Sequence, residues 1–296
     1  MATIVDPTIG GLESARTSRR EIRRKRLLPL KTRKSISLSD LFKRIPKEPP
    51  LRVFVWAALH IVPSSVHARN AWGVSGKPAY LLGTLTAAKI AIEQNVAEIS
   101  VIEFGVAGGR GLLVLQSEAE AVERQTGVKV NVYGFDTGSI GTPKLIGDYR
   151  DHPDHCQPGD FPMDEDLLRS QLSERTTLIL GDVAETVEGF FDDYNAAPVG
   201  FVSFDIDGYS GVRDALKIFT LPSKRMLRQV PIFMPNENIY NHKFAGAMLA
   251  VEEFNQQSSG VKIDRWYGVK IGNAFPERNY FEQMYIAHDL DTISRR

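Results

Sequence analysis

The chain has 296 residues, 43% hydrophobic and 24% charged, with 36 basic and 36 acidic side chains and a single cysteine, Cys156. This composition excludes wholesale disorder, a collagen-like or coiled-coil rod, an intramolecular disulfide framework and a zinc site built on several thiolates. The zero net charge hides an asymmetry: residues 1–50 hold 13 Lys/Arg and 5 Asp/Glu, a net of +8, and residues 51–296 hold 23 and 31, a net of −8.

Residues 1–50 read as a basic, mobile N-terminal arm, with ten Lys/Arg between Arg16 and Lys34 against one acid, Glu21. Such an arm is either a solvated tail or a contact for an acidic partner or membrane surface. No aromatic residue precedes Phe42, which leaves no platform for stacking bases, and no nucleic-acid motif stands out. The longest apolar stretch, Val53 to Val62, is far short of the roughly 20 residues a spanning helix needs. No apolar segment of the secretory type follows the N-terminal charges. With one cysteine, the expected compartment is the cytoplasm.

Residues 51–98 form a helical lead-in. Leu81, Leu85, Ala88 and Ile92 fall on one face of a helix predicted over 79–94. From 99 to 290 strand and helix alternate. Strands are predicted at 100–104, 130–135, 177–180, 199–204, 230–234, 262–267 and 281–288, and helices at 109–124, 184–194, 212–219 and 245–255. The 184–194 helix turns Val187, Phe190 and Phe191 inward, and the 245–255 helix does the same with Ala247, Ala250, Val251 and Phe254. The fold class is therefore α/β: a doubly wound, mostly parallel seven-stranded sheet with helices on both faces. No helix separates the last two strands, so they should form an antiparallel edge hairpin. Residues 137–172, rich in Gly and Pro, read as a lid or insert.

The strongest local feature is Val101-Ile102-Glu103-Phe104-Gly105-Val106-Ala107-Gly108-Gly109-Arg110-Gly111. A strand runs into a glycine-rich turn that opens a helix, where small residues admit a ligand to the backbone. Counted from Gly105, the dinucleotide pattern demands glycine at the position of Arg110, which disfavours NAD. Glu103 would repel a pyrophosphate and welcome a cationic ligand. Asp136 ends the second strand, where an acid can accept hydrogen bonds from ribose hydroxyls. Asp182 follows the third strand and doubles as a helix N-cap. Asp205 and Asp207 leave the fourth strand, and Glu237 and Asn238 follow the fifth. If these strands are neighbours, Asp205, Glu237 and Asn238 offer three oxygen ligands suited to Mg²⁺.

The order acid-x-Gly-x-small-x-Gly from Glu103 to Gly109 resembles motif I of the Rossmann-like (class I) S-adenosylmethionine-dependent methyltransferases. Asp205-x-Asp207, followed by Ala215-Leu216, resembles the macrocin O-methyltransferase family. Asp205 with Glu237-Asn238 is similar to the Asp…Asp-Asn metal triad of the catechol and caffeoyl-CoA O-methyltransferases, with Glu237 where Asp is usual. The resemblance spans about residues 79–288 and makes 99–290 a methyltransferase domain. It implies that Glu103, Gly105, Ala107 and Gly109 hold the methionine end of S-adenosylmethionine, Asp136 its ribose, and Asp182 and Val183 its adenine. It further implies O-methylation of a hydroxyl on a sugar or other small metabolite, assisted by Mg²⁺ at Asp205, Glu237 and Asn238. Asp205, Asp207 and His242 are the catalytic candidates, and His152 and His155 are further candidate bases. The run Asp151-His152-Pro153-Asp154-His155-Cys156 is a poor zinc site because Pro153 and its loop setting disfavour a preformed shell. Tyr209, Tyr240 and Trp266 read as core or rim aromatics. The alternative function is a catalytically degenerate cofactor-binding protein that acts as a subunit or scaffold. A homo-oligomer is compatible with the chain.

Overall fold

In a computed structural model, which describes residues 50–138, 147–152, 161–236 and 242–294, the chain divides into two units, 1–51 and 52–296. The described elements follow in chain order as α1 (Leu51–Ile61), α2 (Val66–Trp72), α3 (Pro78–Glu93), β1 (Glu98–Phe104), α4 (Arg110–Thr126), β2 (Lys129–Asp136), α5 (Glu165–Gln171), β3 (Thr176–Leu180), α6 (Val183–Thr186), α7 (Phe190–Asp193), β4 (Val199–Phe204), α8 (Tyr209–Ala215), β5 (Gln229–Phe233), α9 (Gly246–Gln257), β6 (Val261–Arg265), β7 (Met284–Asp289) and α10 (Leu290–Ser294). No helix among the described residues is long and apolar enough to cross a membrane.

The seven strands form one sheet of order β3-β2-β1-β4-β5-β7-β6. Its first five strands pair in parallel, and β7 runs antiparallel between β5 and β6. This is the Rossmann-like α/β arrangement expected for a class I methyltransferase, with the last two strands antiparallel at the edge. Pro231 lies inside β5. Only Val202↔Ile232 and Ser203↔Phe233 pair β4 with β5, a short ladder as expected where a proline withholds its donor.

Side-chain alternation along β1 and β4 separates the two faces. Glu103 and Ser203 meet Tyr80 of α3 on one side. On the other side the Phe104 ring stacks on Phe204 at 5.4 Å and on Phe135 at 4.7 Å. That stack continues to Phe190 of α7 and, through Phe219, to Phe254 of α9. Helix α3 lies very close to the sheet, because a Cβ on Gly83 would sit 2.2 Å from the Phe201 ring. It is buried on most sides, so Leu81, Leu85 and Ala88 are buried as expected, while Ile92 is 52% exposed near the helix end.

Other boundaries differ from the periodicity for local reasons. The helix expected over 184–194 is split into α6 and α7 around Gly189, yet Val187, Phe190 and Phe191 are all fully buried. The helix expected at 212–219 starts earlier, as α8, and ends in a 3₁₀ turn, Leu216–Phe219. Within the insert, α5 is a real helix, capped by Asp164, whose carboxylate accepts the Leu167 N–H at 3.0 Å. Capping was hard to see there because only seven helical residues follow.

Candidate active site

The strand order reverses between β1 and β4, and the turns that leave these two strands lie side by side. Gly105 leaves β1 with φ +87°, and a Cβ on it would stand 2.2 Å from the carbonyl oxygen of Asp205. Backbone meets backbone here, so only glycine fits. Ala107 (φ 48°) and Gly109 (φ 85°) are also left-handed, and they turn the chain into α4.

Asp136, at the end of β2, fastens this turn. One carboxylate oxygen accepts the N–H groups of Val106 and Ala107, both at 2.8 Å, and the other accepts the N–H of Gly138 at 2.8 Å. A carboxylate has about four acceptor positions, so one remains for a ligand hydroxyl. Asp182 caps α6 by accepting the Ala184 N–H at 3.0 Å, and Val183 is the first residue of that helix. The capping role of Asp182 thus exists in the folded chain, beside any contact it makes to adenine.

Glu103 is 1% exposed and faces α3. Its Oε1 accepts the Tyr80 hydroxyl and, at 3.4 Å, the Lys77 ammonium. Lys77 Nζ also donates to Asp205 Oδ2 at 3.1 Å and to the Tyr80 oxygen at 3.0 Å. Its three protons therefore have three acceptors. Ser203 donates to the Tyr80 oxygen at 3.1 Å and completes the network. Gly111 makes room for it: a Cβ there would lie 2.0 Å from Glu103 Oε1 and 2.7 Å from Lys77 Nζ.

Burial pushes the Glu103 carboxyl up to about 7, against the pull of Lys77 and the Tyr80 hydrogen bond. The Glu103 Oε2 atom is buried without a hydrogen-bond partner. Burial, and then the charges of Glu103 and Asp205, hold the Tyr80 phenol well above its ordinary range, so it stays a proton donor.

Beyond β4, Asn236 bridges the two aspartates. Its amide donates to Asp207 Oδ1 at 2.6 Å and to Asp205 Oδ1 at 3.3 Å. Both oxygens of Asp205 thus face N–H donors, Lys77 on one side and Asn236 on the other. A divalent ion at Asp205 would share that carboxylate with Lys77 and Asn236. Glu237 and Asn238 lie outside the described residues, as do Tyr240, His155 and Cys156. No group of three or more His, Cys, Asp or Glu that could hold a metal ion occurs among the described residues.

His242 is exposed, and its Nδ1 accepts the Phe244 N–H at 3.2 Å. The fold brings it near a second candidate, His152, with ring centroids 6.3 Å apart. Residue 151 ties this part of the insert to α8, where the buried Asp151 accepts the Ser210 N–H at 2.6 Å. Tyr209 is buried as expected and donates to Glu253 at 2.5 Å, and Trp266 is half-buried. A cavity of about 560 Å³ opens between α2, α4 and α5, bordered by Arg69, Arg110, Glu118 and Leu168, and it touches the glycine turn only at Gly108.

Lys77, Tyr80, Ser203 and Asn236 were not legible as site residues. Lys77-Pro78 does mark a helix start, because proline is favoured in the first turn. Nothing in the pattern told which sheet edge that start would face.

No protein-family model and no curated protein matches the chain. Several solved structures resemble it. CalS11, a calicheamicin methyltransferase, is 15% identical over 97% of this chain and 94% of that one, with a TM-score of 0.46. The O-methyltransferase NovP is 16% identical over 74% of this chain and 91% of that one, with a TM-score of 0.44. The MycE methyltransferase from the mycinamycin biosynthetic pathway, in complex with Mg and SAH, is 12% identical over 69% of this chain and 48% of that one, with a TM-score of 0.37. Likenesses this distant decide nothing about activity, which has to be read from the strand tips.

Proposed function

We propose that this chain is an S-adenosylmethionine-dependent methyltransferase acting on a hydroxyl of a small metabolite, such as a sugar. The observation that carries this reading is the switch point between β1 and β4. In an open α/β sheet, ligands bind in the crevice outside the strand ends where the order reverses. Here that crevice holds a left-handed, glycine-rich turn beside the carboxylates of Asp136, Asp205 and Asp207. Such a lining suits a ligand with a cationic amino-acid end and a ribose, and disfavours a pyrophosphate.

Bound S-adenosylmethionine would supply an electrophilic methyl group on a sulfonium centre. The chain's own residues then have three tasks. The turn at 105–109 lets the ligand approach the backbone, and Asp136 holds that turn while offering its remaining acceptor position to a ribose hydroxyl. Asn236 fixes the Asp205 and Asp207 carboxylates relative to each other, so an acceptor hydroxyl can be oriented between them. Asp207 would accept the proton that the acceptor hydroxyl loses on methylation. Positioning carries much of the rate in such an in-line displacement.

Calorimetry with S-adenosylhomocysteine and with NAD tests the reading. Micromolar binding of S-adenosylhomocysteine and none of NAD is expected. The opposite result would sink it.

A further inference from the structure

Helices α8 and α9 follow the two strand tips that carry Asp205, Asp207 and Asn236, and neither begins with a capping side chain. Gly208 occupies the N-cap of α8 and Ala245 that of α9, and neither makes a side-chain cap bond. The first turn of a helix leaves N–H groups without intrahelical partners. Here a short piece of the insert, residues 148–152, supplies acceptors to both helices. The Asp151 carboxylate accepts the Ser210 N–H in the first turn of α8 at 2.6 Å. The Arg150 carbonyl accepts the Gly246 N–H, at the first residue of α9, at 2.9 Å. Asp151 and Ser210 are both buried. The piece is itself braced: Arg150 pairs with Asp148 at 2.8 Å and lies 5.2 Å from the centre of the Tyr209 ring.

A Ser or Asp at position 208 would cap α8 locally. Capping it from the insert instead makes the start of α8 depend on where Asp151 lies. That start in turn sets Asp207. Only Gly208 separates Asp207 from the helix, and α8 packs so closely on the same tip that a Cβ on Gly211 would stand 2.7 Å from Ile206 Cγ2. Asp207 Oδ1 then accepts the Asn236 amide at 2.6 Å. We propose that Asp151 is a positioning residue: by capping α8 from the insert it holds Asp207 against Asn236, and so fixes the pair of carboxylates that receives the acceptor hydroxyl. The role toward the acceptor rests on the proposed methyl transfer; the coupling of Asp151 to Asp207 and Asn236 does not.

NMR of the full chain tests the coupling, on the parent, Asp151→Ala, Asp151→Asn and Val122→Ala. Val122 is fully buried near the C-terminal end of α4, so its truncation destabilises the fold without touching α8. In the parent the Ser210 N–H should be protected from hydrogen exchange. In Asp151→Ala it should exchange about tenfold faster or more. The Asn236 side-chain amide signals should shift in the same variant, because their acceptor on Asp207 has moved. Asp151→Asn keeps an acceptor oxygen and should restore both signatures. Val122→Ala should leave the Asn236 signals in place, which separates positioning from a general loss of stability. Asn236 signals unmoved in Asp151→Ala, or moved equally by Val122→Ala, overturn the proposal. If Asp151→Ala does not fold, the other two samples decide. A parent Ser210 N–H that exchanges like an open loop, or Asn236 signals displaced in Asp151→Asn, overturns the proposal; protection with parent-like signals sustains it. Calorimetry of the parent with S-adenosylhomocysteine decides the methyltransferase reading separately, since its outcome does not bear on the amide signals.

Discussion

Replacing Lys77 with methionine keeps the stem of the side chain and removes the charge between Glu103 and Asp205. The consequence follows from the state of Glu103. Its carboxyl sits at about 7 in the fold, against an ordinary value of 4.5. A raised pKa means that the native state prefers the protonated form. The group's contribution to stability is therefore complete below about 4.5 and is lost as pH rises through about 7. At about 1.4 kcal/mol per pKa unit, the loss amounts to about 3 kcal/mol, and in the parent it ends near neutrality. Lys77 is the leading influence that lowers this carboxyl. Without it, Glu103 faces the like charge of Asp205 and stays protonated to higher pH.

At pH 6, then, Lys77→Met should cost little beyond its own hydrogen bonds. Above pH 7 the variant should keep losing stability by about 1.4 kcal/mol per pH unit, where the parent has levelled off. By pH 9 the gap should have widened by about 2–3 kcal/mol. Urea midpoints at pH 6, 7, 8 and 9 measure it, for the parent, Lys77→Met, and Lys77→Met with Glu103→Gln. In the double variant the widening should vanish, because residue 103 can no longer ionise. A gap that is constant with pH, or that widens equally in the double variant, would refute the assignment of Lys77 as the countercharge of Glu103.

Three further outcomes are expected. Asp136→Ala should lower S-adenosylhomocysteine affinity by about 1–3 kcal/mol in calorimetry, and should also lower unfolding stability by a similar amount, since three backbone N–H groups lose their acceptor. Gly105→Ala should destabilise the fold by about 2 kcal/mol or more in a urea titration, because the added Cβ meets the Asp205 carbonyl at a strained φ. Asp207→Asn should lower kcat about 100-fold or more with a competent acceptor, while S-adenosylhomocysteine affinity stays within about 1 kcal/mol.

What could be read from the chain alone was what sequence neighbours decide. The strands and their tips are contiguous in sequence, so 100–104 followed by Gly105, or 199–204 followed by Asp205 and Asp207, declared both an element and a site. The antiparallel edge was legible for the same reason, because the stretch between the last two strands offers no crossover helix. The position of β7 between β5 and β6 was not, since sheet order is a matter of contacts between distant segments. Boundaries moved where local chemistry outweighed periodicity, as at Gly189 and at Asp164.

The site itself divides along the same line. Glu103 was correctly placed at the end of β1, but its environment belongs to α3, whose Lys77 and Tyr80 stand 26 and 23 residues earlier. A strand residue faces one side of the sheet or the other, and Glu103 faces α3, opposite the Phe104 stack. That single step of alternation buries Glu103 beside the Lys77 ammonium, which its position in the sequence did not reveal. Asp205 marks the meeting of the two halves. Its backbone crowds Gly105 of the turn, one carboxylate oxygen takes Lys77, and the other takes Asn236. A change in the buried Glu103–Lys77 pair is thereby transmitted to Asp205 and, through Asn236, to Asp207, by way of one ammonium group shared between Glu103 Oε1 and Asp205 Oδ2.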